Sequence, residues 1–92
     1  HVIASHPAVE DCAVVGVPDE KWGEAVKAVI QLKPETTVTD EEIIKLVKSK
    51  LGSVHAPKTV DFVASLPRSP NGKVLKREIR DKFWEGAQRR VG

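Results

Sequence analysis

The chain has 92 residues, with 40% hydrophobic and 30% charged side chains and a net charge of +2, which is the composition of one small water-soluble domain. Such a chain can bury a modest core, but it is too short to hold two small-molecule pockets of ordinary size, and no apolar run is long enough to cross a bilayer. A single cysteine, Cys12, excludes an internal disulfide framework, and three dispersed histidines show no metal-ligand spacing.

The N-terminal part of the chain predicts the end of a helix followed by a buried strand. Residues 1–5 are expected to close a helix, because the next residue precedes a proline and therefore avoids the helical region. The short β-branched run in residues 9–17 predicts a strand, and residues 18–20 then turn the chain. Gly16 inside this strand indicates a bulge or a close approach by another segment.

The middle of the chain predicts a second strand and the best-defined helix. Apolar and polar residues alternate over residues 25–32, as in a half-buried antiparallel strand, and this strand ends at Pro34. Thr39 and Glu42 have the spacing of a capping box, and Gly52 supplies a C-cap. The apolar residues that recur at helical spacing between these caps are Ile43, Ile44, Val47 and Leu51.

The last third of the chain predicts one more strand and one more helix. Residues 57–63 alternate and are rich in β-forming residues, which indicates a third strand. Leu75, Ile79 and Phe83 lie on one face of an amphipathic helix, whereas residues 87–92 show no pattern and are expected to fray. Together these elements predict an α+β domain with a small, mainly antiparallel sheet of about three strands flanked by helices.

Between the third strand and the last helix lies the stretch LPRSPNGKVLKREIR, residues 66–80. Its two prolines restrict the backbone and remove two amide donors, while Asn71 and Gly72 adopt positive φ easily, so a stiff loop is predicted. Lys73 follows directly, at a place where a primary amine can be aimed at a ligand oxyanion. A Gly-Lys pair taken alone is more often a solvated surface lysine.

A longer pattern around this loop points to a known family. The string of Pro67, residues 72–74 (GKV) and residues 76–77 (KR) resembles the C-terminal signature of the adenylate-forming enzymes, which include acyl- and aryl-CoA synthetases, luciferases and peptide synthetases. Residues 14–24, VVGVPDEKWGE, resemble the small-domain motif of the same family. The resemblance implies that residues 1–92 are the C-terminal lid domain of such a ligase, with the fold of an AMP-binding enzyme C-terminal domain, and that the large N-terminal domain lies outside this chain.

The resemblance also implies a reaction. In this family a carboxylic acid attacks the α-phosphate of ATP to form an acyl-adenylate, and the acyl group then passes to the thiol of CoA. ATP and CoA are therefore the expected co-substrates, with Mg²⁺ accompanying ATP, and the fragment alone is expected to bind none of them and to be inactive. Lys73 matches the lysine that stabilises developing charge in adenylation. It also resembles the target of reversible acetylation in relatives, which would remove its charge.

Three further residues match positions at which CoA-using relatives contact CoA. Trp22 would stack on the adenine, and Lys48 and Lys58 would pair with the phosphates. Each also has an ordinary structural reading, with Trp22 at the edge of the core and the two lysines as solvated charges. At residues 54–57, VHAP, the sequence departs from many relatives, which carry an aromatic and then Lys or Arg before the proline; a CoA-contacting pair is missing there or is replaced by His55.

The distribution of charge leaves alternatives open. Residues 68–92 carry eight Lys or Arg against three Asp or Glu, whereas residues 1–67 carry seven against ten, so the tail attracts polyanions. Four aromatic residues without basic-aromatic interleaving argue against nucleic acid, and the phosphates of ATP or CoA fit as well. A stand-alone basic binding module and a peptide-synthetase adenylation domain are the alternatives, although residues 74–77 (VLKR) differ from the Val-Asp-Arg typical of peptide synthetases.

The remaining expectations concern location and partners. The N-terminus has no basic segment followed by an apolar one, so no signal peptide is predicted, and we expect a cytoplasmic protein that begins inside a longer chain. The expected partners are the large N-terminal domain of the same protein, a carboxylic acid, ATP and CoA, without nucleic acid and without a transmembrane segment.

Overall fold

The structure, a computed structural model, describes residues 2–21 and 23–91, except for the side chains of residues 86–91. In this part of the chain one sheet is formed by the strands β1 (Val9–Asp19), β2 (Gly23–Leu32) and β3 (Thr59–Val63). The sheet is accompanied by the helices α1 (Asp40–Leu51) and α2 (Lys76–Val91) and by two short 3-10 turns, Ile3–Ser5 and Ser53–His55. The α+β class with about three strands and flanking helices is confirmed.

The strand order is β1-β2-β3, with β2 in the centre. β1 and β2 pair antiparallel through a hairpin, with Cys12 opposite Ile30. β2 and β3 pair parallel, with Ala28 opposite Val60, because α1 carries the chain from the end of β2 back to the start of β3. The sheet is therefore mixed, with one antiparallel and one parallel pair.

The centre of β2 is buried on both faces of the sheet. Ala28 and Ile30 are 0% exposed and Val29 is 3% exposed. Because successive side chains of a strand point to opposite faces, Ala28 and Ile30 pack with Ile43 and Val47 of α1, whereas Val29 packs with Ile79 of α2 on the other face. The prediction of a half-buried strand is therefore wrong at its centre, since a helix covers each face.

The caps of α1 are the ones that the sequence predicts. The Thr39 hydroxyl accepts a hydrogen bond from the Glu42 amide at 3.1 Å, and the helix ends at Gly52 with φ of 86°. The Glu42 carboxylate does not return to the cap; it lies 3.2 Å from the Nε2 atom of His6, just after the first 3-10 turn. The apolar face is narrower than predicted, because Ile43 is fully buried while Leu51 is 52% exposed.

The first strand differs from the prediction at both ends of its hairpin. β1 continues to Asp19, so the chain turns after residues 18–19 rather than within 18–20; Pro18 is tolerated because β1 is an edge strand. The irregularity in register lies between Val9 and Asp11, and the ladder is continuous through Gly16. Gly16 instead marks a close approach, because a Cβ atom there would lie 2.6 Å from Cδ of Glu24.

The last helix is fixed to the sheet by one apolar stripe and one hydrogen bond. Ile79 is buried and Phe83 packs against the same cluster, as predicted, while Arg77 and Arg80 are exposed. Nε1 of Trp84 donates to the Gly16 carbonyl at 2.9 Å, which ties α2 to β1. The helix continues through Val91, and the fraying expected over residues 87–92 stays a prediction. Among the described residues no helix is long and apolar enough to cross a membrane.

Candidate functional site

The segment that carries Lys73, residues 66–75, is closed at its base; we refer to it as the lysine loop. Leu66 is 5% exposed, packs with the α2-side core, and its amide donates to Oε1 of Gln31 on β2 at 3.1 Å. At the other end the amide of Leu75 donates to the carbonyl of Pro67 at 2.9 Å. The base of the loop is therefore attached to the central strand by Leu66, and at Leu75 the loop runs directly into α2.

The tip of the loop is held by its own hydrogen bonds. The Ser69 amide donates to the Lys73 carbonyl, and the Gly72 amide donates to the Ser69 carbonyl, each at 2.8 Å. The Ser69 hydroxyl accepts from the Lys73 amide at 3.2 Å and also contacts Asn71. Gly72 has φ of 86°, whereas Asn71 is not among the residues with positive φ. The tip of the predicted loop is therefore held by these hydrogen bonds in addition to its two prolines, and Gly72 supplies the positive φ.

Arg68 connects the tip of the loop to the first strand. Its guanidinium lies 2.7 Å from Oδ2 of Asp11 and also donates to the carbonyl of Gly72 at 3.2 Å. Sequence reasoning missed this ion pair, because the two residues are far apart in the chain and neither stands in a periodic pattern. The sequence does show an arginine directly before a turn, but this pattern does not identify Asp11 as its partner.

Lys73 itself is exposed at the end of the tip. Among the residues that the structure describes, the ion pairs involve other cations, and none involves the Lys73 ammonium. Its backbone is fixed on both sides by the bonds to Ser69, while its side chain is available to a group from outside the domain. This combination suits a cation that acts on a ligand held elsewhere.

Lys58 lies beside the β1–β2 hairpin. Its amide donates to the carbonyl of Val26 at 2.9 Å, and its ammonium lies 3.4 Å from Oδ2 of Asp19 at the end of β1. Trp22, the predicted adenine-stacking residue, lies outside the described residues, so its predicted role stays a prediction. The structure therefore places Lys58 next to the end of β1.

Lys48 lies on a different surface. It is exposed on α1 and borders an open depression of about 520 Å³, which is also bordered by Lys45, Glu41 and Glu42. Two carboxylates and two ammonium groups border it, so the surface is not a uniformly basic site for phosphates. Lys58 does not border this depression, and the two lysines are not brought into one pocket.

The lysine loop and Lys48 belong to opposite sides of the sheet. Leu66 and Val74 of the loop pack in the cluster that includes Ile79 of α2. Lys48 extends from α1, whose Val47 packs in the cluster on the other face. The domain therefore presents two chemically different surfaces that are separated by the thickness of the sheet.

Cys12 is a packing residue, as its apolar surroundings predict. It packs against the α1-side core and borders a cavity of about 430 Å³ between the first 3-10 turn, β1 and α1. Burial raises the pKa of the Cys12 thiol, the nearby Asp11 carboxylate raises it further, and Lys76 opposes the rise. The sulfur is therefore kept as a neutral thiol, which is the form that packs in a core and not the nucleophilic one.

Comparison with known proteins identifies the family. The sequence model of one protein family, the AMP-binding enzyme C-terminal domain, matches residues 1–73. A medium/long-chain-fatty-acid–CoA ligase, FadD8 from Mycobacterium tuberculosis, is 50% identical over 99% of this chain, and a fatty acid–[acyl-carrier-protein] ligase, ScoC from Streptomyces coeruleorubidus, is 38% identical over 99%. The chain spans only 17% and 18% of the lengths of these two relatives.

A solved structure shows the same fold. An acyl-CoA synthetase from Brucella canis superposes with a TM-score of 0.85 at 39% sequence identity, covering 94% of this chain and 16% of that one.

The backbone of the lysine loop can be tested by stability. Gly72 and Gly52 have the same φ of 86°, and a Cβ atom at either position meets nothing within 4 Å. Because only backbone strain opposes alanine there, we expect Gly72→Ala and the matched control Gly52→Ala each to lower the free energy of unfolding by about 1 to 3 kcal/mol in urea denaturation. A Gly72→Ala variant as stable as the unmutated chain would show that the tip is not held at this φ.

Proposed function

This chain belongs to the family of AMP-binding enzyme C-terminal domains, and on that premise we propose that it is the mobile C-terminal domain of an acyl- or aryl-CoA ligase. The ligase converts a carboxylic acid to its CoA thioester through an acyl-adenylate, with ATP and CoA as co-substrates. Relatives that are about six times as long support a large domain that holds the acid and ATP. The 92-residue domain alone should not turn over.

The observation that carries this proposal is the combination of a held backbone and an exposed ammonium at Lys73. Its backbone is fixed by Ser69 on both sides, and its ammonium is exposed without an ion pair to any described residue. A lysine that served the stability of its own domain would be paired or would cover apolar surface. An exposed, unpaired ammonium on a backbone that its own domain holds in place suits a lid that places charge in the site of another domain.

The chemical need for this charge arises in the first half-reaction. An anionic carboxylate attacks the α-phosphate of ATP, the bond from that phosphorus to the bridging oxygen breaks, and pyrophosphate leaves. Negative charge accumulates on the α-phosphate and on the leaving group. Lys73 placed at these oxygens stabilises the transition state more than the ground state, and closure of the lid excludes water from the labile adenylate.

The second half-reaction uses other surfaces of the domain. The lysine loop packs on the α2 side of the sheet and Lys48 on the α1 side, so one orientation cannot present both to the same site. We assign the CoA phosphates to Lys58 and Lys48 and the adenine to Trp22. A rotation of the domain between the half-reactions would withdraw Lys73 from the site and bring the α1 side of the sheet with Lys48 toward it.

A carrier protein as the acyl acceptor is the second candidate function. The positions of the usual CoA-contacting pair, just before Pro57, are occupied by the exposed His55 and by Ala56, and the neighbouring Val54 is 94% exposed. A relative named as an acyl-carrier-protein ligase also covers 99% of this chain at 38% identity. CoA stays the favoured acceptor because FadD8, at 50% identity, is named as a CoA ligase.

Magnesium fits this proposal as a companion of ATP. The described part of the chain contains no group of three or more His, Cys, Asp or Glu side chains that could hold a metal ion. We propose that Mg²⁺ enters with the nucleotide. Lys73 and the metal would neutralise different oxygens of the same triphosphate.

The role of Lys73 is tested by separating the half-reactions in the intact ligase. We expect Lys73→Ala to lower the rate of adenylate formation by about 10² to 10³, the loss of about 2.7 to 4 kcal/mol typical of one transition-state donor. Transfer from preformed adenylate to CoA should change little. Pyrophosphate release and single-turnover thioester formation measure the two steps, and Lys82→Ala, an exposed lysine on α2, is the control. Equal losses in both steps would contradict the assignment.

The acceptor is tested by Lys58→Ala. If Lys58 binds a CoA phosphate, we expect the KM for CoA to rise about tenfold, because a hydrogen bond to a charged group is lost, while adenylate formation is unchanged. Lys33→Ala, which removes an exposed charge after β2, should leave both quantities unchanged. An unchanged KM for CoA together with efficient transfer to an acyl-carrier protein would favour the second candidate function.

A further inference from the structure

We propose that Arg68 is a positioning residue for Lys73, and that it acts by fixing the tip of the lysine loop to Asp11 of β1. This inference rests on the proposed function of Lys73 and extends it to a pair of residues that do not touch the substrate. The contacts that carry it are the two partners of one guanidinium, the Asp11 carboxylate at 2.7 Å and the Gly72 carbonyl at 3.2 Å.

The other contacts of the loop leave one movement unrestrained, which is a tilt of its tip relative to the sheet. The bonds among Ser69, Gly72 and Lys73 fix the shape of the tip, and the buried Leu66 fixes the base. None of these bonds reaches a strand; Val74, packed in the α2-side cluster, is the apolar contact of the loop below the tip, and a tilt of residues 69–73 about that contact breaks none of them. Arg68 is the described side chain that links a carbonyl of the tip to a strand, and it therefore removes this tilt.

The chemistry of the guanidinium suits this task. It is planar, always charged, and presents five donors in a fixed arrangement, so it can bind a carboxylate and a carbonyl at the same time. A lysine would keep the charge but is a single point with a flexible stem. Because the side chains of Arg68 and Asp11 are 36% and 31% exposed, their pairing contributes little to stability, and we expect its main effect on geometry.

Displacement of the tip has a direct consequence for Lys73. The carbonyl that Arg68 holds belongs to Gly72, the residue immediately before Lys73. A change of about 1 Å in the position of a catalytic group can cost about 10²-fold in rate. Loss of the link should therefore slow the step that uses Lys73 and spare the step that does not.

The experiment compares Arg68→Ala, Arg68→Lys and Asp11→Asn with Lys73→Ala in the intact ligase. We expect Arg68→Ala to lower adenylate formation by about 10- to 100-fold, with transfer from preformed adenylate to CoA within about twofold. Arg68→Lys should recover little of the loss, since it restores charge without the double contact. Arg68→Ala should add little in the Lys73→Ala background, because a positioning residue acts through the group that it positions. Arg77→Ala, an exposed arginine of α2, is the matched control.

The outcomes separate this inference from the proposed function. If Lys73→Ala lowers adenylation selectively and Arg68→Ala does not, the positioning role is overturned and the proposed function stands. Full recovery by Arg68→Lys, or full additivity with Lys73→Ala, also overturns it, because the charge would then act on its own. If Lys73→Ala spares adenylation, the proposed function fails and the positioning role fails with it. Urea unfolding of each variant identifies losses caused by misfolding, and Asp11→Asn supplies the mildest test if Arg68→Ala does not fold.

Discussion

The burial of β2 on both faces is the constraint on which the rest of this domain depends. Ala28 and Ile30 pack under α1, and Val29 packs under α2, so one strand supports two separate clusters. The lysine loop is tied to the same strand through the Leu66 amide and Gln31. The domain thereby has a buried centre with a different surface on each side.

Much of the fold is readable from local patterns, and the errors have identifiable causes. The caps at Thr39 and Gly52 are local, and both are confirmed. The alternation in β2 suggests a solvent-facing side because that side includes Lys27. In the structure the Lys27 ammonium bonds to Asp61 at 2.9 Å and lies 5.0 Å from the Phe83 ring centroid, so a polar side chain lies under α2. The alternation along a strand shows which side chains are polar. It does not show which helix packs over a given face of the sheet.

In the candidate site, too, some features can be predicted from adjacent residues, whereas others depend on contacts between distant segments. Lys73 is identified by a string of adjacent residues, and Gly72 provides the predicted positive φ. The pairs Arg68–Asp11 and Lys58–Asp19 join distant segments, and no local pattern predicts them. The same is true of the bond from Trp84 to the Gly16 carbonyl, although a glycine within β1 did indicate a close approach. Candidate functional residues are thus easier to find in the sequence than the long-range contacts around them.

The central claim is that Lys73 works in a site that another domain provides. The most direct measurement is a crystal structure of the intact protein with a non-hydrolysable acyl-adenylate analogue. We expect the Lys73 ammonium to lie within about 3 Å of oxygens at the acyl–phosphate junction, with the Arg68–Asp11 contact retained. An ammonium paired within its own domain, or directed to solvent while the lid is closed over the adenylate, would contradict the claim.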